Sequence, residues 1–124
     1  MIHEAAAALD ALGIPYRCVA GGFALKIVTR GRQIPVRIRV VGDRITLYAP
    51  LGAMQDAADA AIYCNKRNRT LGDGCLVAKE DGSIFLKQTA YLHDALLAKE
   101  CMERALERQR ALLDMLPQNG SIRP

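Results

Sequence analysis

The side chains with chemical potential in this chain are four cysteines, two histidines, two serines and thirteen carboxylates. Cys18, Cys64, Cys75 and Cys101 stand far apart, with no C-x-x-C pair. The ligand spacing of zinc sites is therefore missing, and no metal is expected. An even cysteine count permits disulfides, but a chain with no secretion signal keeps its thiols reduced. Small buried apolar side chains are the expected role. A Cys–His dyad on one helix fails on distance, because His93 and Cys101 would lie about 12 Å apart along the axis. Pairings of His3 or His93 with another cysteine depend on the tertiary fold. Of the two serines, Ser83 sits beside a turn and Ser121 near the end, with no partnered His and acid as a triad needs. Asp56 and Asp59 fall early in an expected helix, where acids serve the macrodipole. His93-Asp94 reads the same way. Gly72-Asp73-Gly74 lacks the Lys-Ser/Thr of a phosphate loop and is a turn. No catalytic residue and no cofactor are expected.

Basic residues form a more coherent pattern. Arg37 and Arg39 point to one side of a strand, and Lys26 joins them from a neighbouring strand. Arg17, Arg30, Arg32 and Arg44 lie close in sequence. The plainest reading is a solvated sheet face whose charges oppose edge aggregation. An acidic protein partner comes next, and nucleic acid third. Single-strand binding would call for stacking aromatics, and here only Tyr16 and Tyr48 are candidates. Lys26, Arg37, Arg39 and Tyr48 are the candidate partner-binding residues.

The elements that must position them follow from periodicity. Residues 2–12 form an amphipathic helix with Ile2, Ala5, Leu9 and Leu12 on one face, closed by Gly13 and Pro15. Residues 14–49 alternate with period two, punctuated at Gly21-Gly22, Gly31-Arg32 and Gly42-Asp43, which predicts an antiparallel meander. Pro50 and Gly52 break its last strand. A helix over 53–68 carries a stripe of Met54, Ala57, Ala58, Ala61 and Ile62. Cys75–Lys79 and Ser83–Gln88 form a hairpin across a two-residue Asp81-Gly82 turn. Residues 91–116 form the longest helix, with a stripe through Leu92, Ala95, Leu96, Met102, Ala105, Leu106, Leu112, Leu113 and Leu116. Pro117 ends it, and 117–124 is expected to be a disordered tail. The order α-ββββ-α-ββ-α predicts an α+β class domain over 1–116.

The totals agree. The chain has 124 residues, 51% hydrophobic and 24% charged, with a net charge of +4. It suits one domain and excludes no anionic partner. Met1-Ile2-His3-Glu4 lacks the basic start and unbroken apolar stretch of a signal peptide. No run reaches the roughly 18–20 apolar residues of a membrane span. A cytoplasmic protein away from the membrane is expected.

Residues Ile62-Tyr63-Cys64-Asn65-Lys66-Arg67-Asn68 run into a glycine turn, a strand, Asp81-Gly82, a second strand and a long helix. This resembles the YbjN family of bacterial sensory transduction regulators, which shares the fold of the type III secretion chaperones. Asn65 and Asn68 match the family's asparagine pair at a helix end, and Asp81 and Gly82 match its acidic-Gly turn. The chain departs in its shortness and its arginine-rich strands. The resemblance implies a type III secretion chaperone-like fold and a non-catalytic module that binds protein partners. It brings no catalytic residues to carry over. A homodimer, through the exposed sheet or the apolar side of helix 91–116, is one assembly that would cover these faces. From the residues alone, Asn65 and Asn68 have a local job, satisfying loose backbone groups at a helix end. Three readings follow: a protein-binding adaptor or regulator, a nucleic-acid-binding module on Arg37 and Arg39, and last a small enzyme with Cys64 or Cys75 as nucleophile.

Overall fold

A computed structural model describes residues 2–72, 74–92 and 97–116. The expectations for Asp73, for His93-Asp94 with Ala95 and Leu96, and for 117–124 with Ser121 lie outside the described residues. Helix α1 (Ile2–Ala11) leads into strands β1 (Tyr16–Val19), β2 (Gly22–Thr29), β3 (Arg32–Val41) and β4 (Arg44–Ala53). Helix α2 (Ala57–Leu71), strands β5 (Cys75–Ala78) and β6 (Ser83–Tyr91), and helix α3 (Ala98–Met115) follow. The class is α+β with an antiparallel sheet, in the predicted element order. The sheet runs β1-β2-β3-β4-β6-β5, so β4 pairs with β6 across the α2–β5 excursion.

Period-two alternation puts the apolar set of every long strand on one side. Phe23, Leu25 and Ile27 of β2, Ile34, Val36 and Ile38 of β3, Ile45, Leu47 and Ala49 of β4, and Ile84 and Leu86 of β6 are all buried. α1 and α3 pack together; α3 also meets β2 and β6, while α2 covers β5. Leu9, Met102, Ala105 and Leu113 complete the core from the helical side. Burying each larger apolar side chain stabilises by about 1.5–3 kcal/mol. The stripe of α3 is thus spent inside the fold, and a second copy cannot use it as expected.

Several boundaries move. Pro50 does not end β4. It pairs opposite Phe85 of β6, a bulge follows between Pro50 and Gly52, and the strand runs on to Ala53. A proline lacks a donor on one side only, so β4 loses nothing on its β6 side. α2 starts later than predicted because Asp56 is its N-cap: its Oδ1 accepts from the N–H groups of Ala58 at 2.7 Å and Asp59 at 3.4 Å. That role goes beyond the expected macrodipole effect. The buried side of α2 is Ala60, Cys64 and Leu71, while Ala58 and Ala61 are exposed and Ile62 is 54% exposed. Of the expected stripe, Ala58, Ala61 and Ile62 therefore face outward, while Ala57 is half-buried and Met54 packs against the core. β6 runs to Tyr91 because its ladder with β4 continues to Arg44, and Leu92 N–H donates to Asp43 O at 2.7 Å. Tyr91 and Leu92 are therefore not helical.

Turns also shift. Gly22 is the first residue of β2, and a Cβ there would fall 1.8 Å from the Ile38 carbonyl oxygen. The second hairpin turns on Arg30 (φ 49) and Gly31 (φ 74), two left-handed residues in succession. The last is a three-residue loop, Glu80-Asp81-Gly82, closed by Gly82 N–H to Lys79 O at 3.0 Å and Lys79 N–H to Ser83 O at 2.9 Å.

Gly82 separates conformational from steric demand. Its φ is +88 and an added Cβ would meet Met54 O at 2.1 Å, whereas Gly42 has φ +61 and open space. Gly42→Ala is expected to cost about 1–2 kcal/mol for the left-handed residue alone. Gly82→Ala should cost clearly more, because the Met54 N–H to Gly82 O bond at 2.9 Å must also yield. Urea denaturation of both variants measures the difference.

Candidate functional site

Helices cover one side of the sheet, so the remaining strand positions point the other way. Register brings them into rows. One row runs Arg17, Ala24, Arg37, Tyr48, Lys87 and Cys75 across all six strands. The next holds Gly22, Arg39, Thr46 and Thr89. Arg37 stands directly opposite Tyr48, and Lys26 stands opposite Pro35 one row beyond. The four residues singled out from sequence, Lys26, Arg37, Arg39 and Tyr48, thus share one face. The three cations are exposed and Tyr48 is half-buried. A concavity of about 610 Å³ lies here, lined by Pro35, Arg37, Arg39, Tyr48, Pro50 and Phe85 among others.

The face has more members than sequence reading supplied. Arg44 and Tyr91 are opposite one another at its end. Lys87 enters from β6, and Lys79 lies over the Phe85 ring at 4.5 Å. Lys87 was missed because it reaches Tyr48 only through a strand beyond α2. Arg30 and Arg32, near in sequence, do not belong. Arg30 sits in a turn with its Nε 3.8 Å from an Asp114 carboxylate oxygen, which also accepts from the Thr29 hydroxyl. Arg32 shares the inner side with Ile34 and pairs with Thr29. A signal was available: no Asp or Glu stands in any of the six strands, while basic residues recur through five of them. The six outward cations Arg17, Lys26, Arg37, Arg39, Arg44 and Lys87 therefore have no carboxylate among them on their strands. In water their mutual repulsion is small and screened within about 8–10 Å. An anion laid across them relieves it.

Asn65 and Asn68 do not end a helix, since α2 continues to Leu71. Asn65 is exposed. Asn68 reaches from α2 to the neighbouring strand, where its Nδ2 donates to Leu76 O at 3.0 Å and its Oδ1 accepts from Leu76 N–H at 2.7 Å. One side-chain amide occupies both outward peptide groups of Leu76 on the edge strand β5. Such a plug stops another chain from pairing there. Asp81 Oδ1 accepts from Ser83 N–H at 2.9 Å. The Ser83 side chain and N–H together hold the Asp81 carboxyl below its usual range.

The cysteines are free, with Cys18 and Cys75 exposed, Cys101 intermediate and Cys64 buried. Burial pushes the Cys64 thiol up, with a smaller contribution from the charge of Cys75. A nucleophilic thiol needs the opposite shift. Among the described residues no three His, Cys, Asp or Glu side chains gather where they would hold a metal. No helix there is long and apolar enough to cross a membrane.

No family model matches this chain, and no curated protein matches it in sequence. Solved structures do. YbjN of E. coli superposes with a TM-score of 0.63 at 13% identity, covering 91% of this chain and 88% of that one. A chain of the ExsC–ExsE complex gives 0.55 at 18% identity, covering 90% and 84%. A chain of the heterodimeric ExoU–SpcU complex of the Pseudomonas aeruginosa type III secretion system gives 0.53 at 14%, covering 85% and 88%. The fold is YbjN-like and type III secretion chaperone-like. At these identities the likeness concerns the fold alone.

Two outcomes follow. Asn68→Ala leaves two peptide groups of Leu76 without their side-chain partner and should cost about 1–3 kcal/mol by urea denaturation, with faster aggregation by light scattering. A raised Cys64 pKa means less thiolate at pH 8, so iodoacetamide should label Cys18 and Cys75 well before Cys64, and unfolding should remove the difference. Peptide mass spectrometry reads both states.

Proposed function

We propose that this protein is a non-catalytic protein-binding adaptor or regulator whose partner presents an acidic segment to the outer sheet face. The observation that carries this reading is the row of outward cations from β1 to β6 with no carboxylate on the strands beside them. Lys26, Arg37 and Arg39 supply charge, and Tyr48 supplies a half-buried ring between Arg37 and Lys87. Opposed fields of this kind speed encounter and set register more than they add affinity. The similar structures lend support: two were solved as complexes with another protein, ExsE in one and ExoU with SpcU in the other. Four free thiols suit a bacterial cytoplasm. A homodimer would need a surface other than the α3 stripe; the outward Ala58, Ala61 and Ile62 of α2 form one apolar patch, and Val28 and Val41 are exposed on the outer sheet face.

Nucleic acid is the second reading, on the same cations. Stacking is its weak point, because Tyr48 is half-buried and Lys79 already occupies a face of Phe85. Tagged protein captured from lysate, in nuclease-treated and untreated halves, separates the two. One or a few proteins surviving nuclease, released by raised salt and lost in Arg37→Glu/Arg39→Glu, are expected. Recovery only without nuclease would transfer the face to nucleic acid, with affinity falling steeply with salt. Capture undiminished in the double variant would remove this face from either role.

A further inference from the structure

The sheet is split on its partner face. The β3–β4 ladder runs from Val41–Arg44 to Arg37–Tyr48 and stops. One step further in the same register, Pro35 would face Pro50. Neither has an N–H, so no bond can be donated from either side. The strands remain held by their other neighbours, Pro35 by Lys26 of β2 and Pro50 by Phe85 of β6. At this point lies a slot of about 460 Å³, lined by Ile34, Leu51, Leu113 and Leu116 together with Pro35 and Pro50. Pro35, Pro50 and Phe85 also line the concavity on the basic face, so the two spaces adjoin. Tyr63 lines the slot, and its hydroxyl is buried without a hydrogen-bond partner. A buried hydroxyl left unpaired is costly; this one is closed to water in the free protein, so an incoming polar tip satisfies it as the Tyr63 side chain turns into the slot.

We propose that this slot receives one large aromatic side chain, tyrosine best, from the acidic segment that lies on the basic face. This rests on the reading above and names the anchor it lacks. Arg37, Arg39 and Lys79 of the adjoining concavity, with no carboxylate on the strands, select an anionic segment; the apolar walls select the anchor, and the Tyr63 hydroxyl favours an aromatic with a polar tip. Interfaces of this kind draw most of their energy from one or two such buried anchors.

The test uses the full-length chain and three fluorescein-labelled peptides of alternating Glu and Thr with a central Tyr, Phe or Ala, titrated by anisotropy. The Tyr peptide is expected to bind at least tenfold more tightly than the Ala peptide, with Phe between. Methyl NMR signals of Leu113 and Leu116 should shift with the Tyr peptide and not with the Ala peptide. In Tyr63→Phe, which removes only the unpaired hydroxyl, Tyr and Phe peptides should bind alike while both still exceed Ala. Arg37→Glu/Arg39→Glu should weaken all three together. Equal binding of all three peptides would overturn the anchor and leave the acidic-partner reading standing. Binding of none would overturn both. Leucine methyl shifts that follow protein concentration without peptide would put a second copy in the slot and overturn the proposal.

Discussion

The pleat of the sheet ties its two faces together. Once Phe23, Ile38, Leu47 and Leu86 turn toward the helices, their chain neighbours must turn toward water. A shift of one residue in any strand would bury arginines and expose the core, so the register is strongly held. The basic face is therefore a consequence of core packing. Its charged side chains are rooted where burial of the opposite face leaves them.

That scaffold is interrupted at one place. Prolines on neighbouring strands remove two donors from the same point of one ladder, while ladders on their far sides stay intact. The sheet tolerates this because each strand retains a partner. The bulge at Gly52 lets β4 keep pairing with β6 as it diverges from β3. The interruption lies beside Arg37 and Tyr48, in the row of Lys26, at the end of the basic face away from Arg44.

The edges are treated unequally. Asn68 plugs the outer side of β5, and α2, positioned by its Asp56 cap, holds that amide in place. The likeness to YbjN and the secretion chaperones fits this architecture of one helix-covered face and one bare face, and at 13–18% identity it reports architecture and nothing finer.

Element order, strand alternation and the turns to within a residue were legible from residues 2–92 because they depend on neighbours a few positions apart. So was the shared orientation of Arg37 and Arg39, two residues apart on one strand. The limits of α2 and the start of α3 were not, because Asp56 capping and the long β4–β6 ladder outweigh local periodicity. Nor was the bonding of Asn68, which the motif placed at a helix end but whose partner lies on β5. Local chemistry determines which residues alternate and where the chain turns. Only the packed structure decides that β6 lies beside β4, that Lys87 joins Arg37 and Tyr48, and that Pro35 meets Pro50. Those are choices between distant strands, made by burial of one common core.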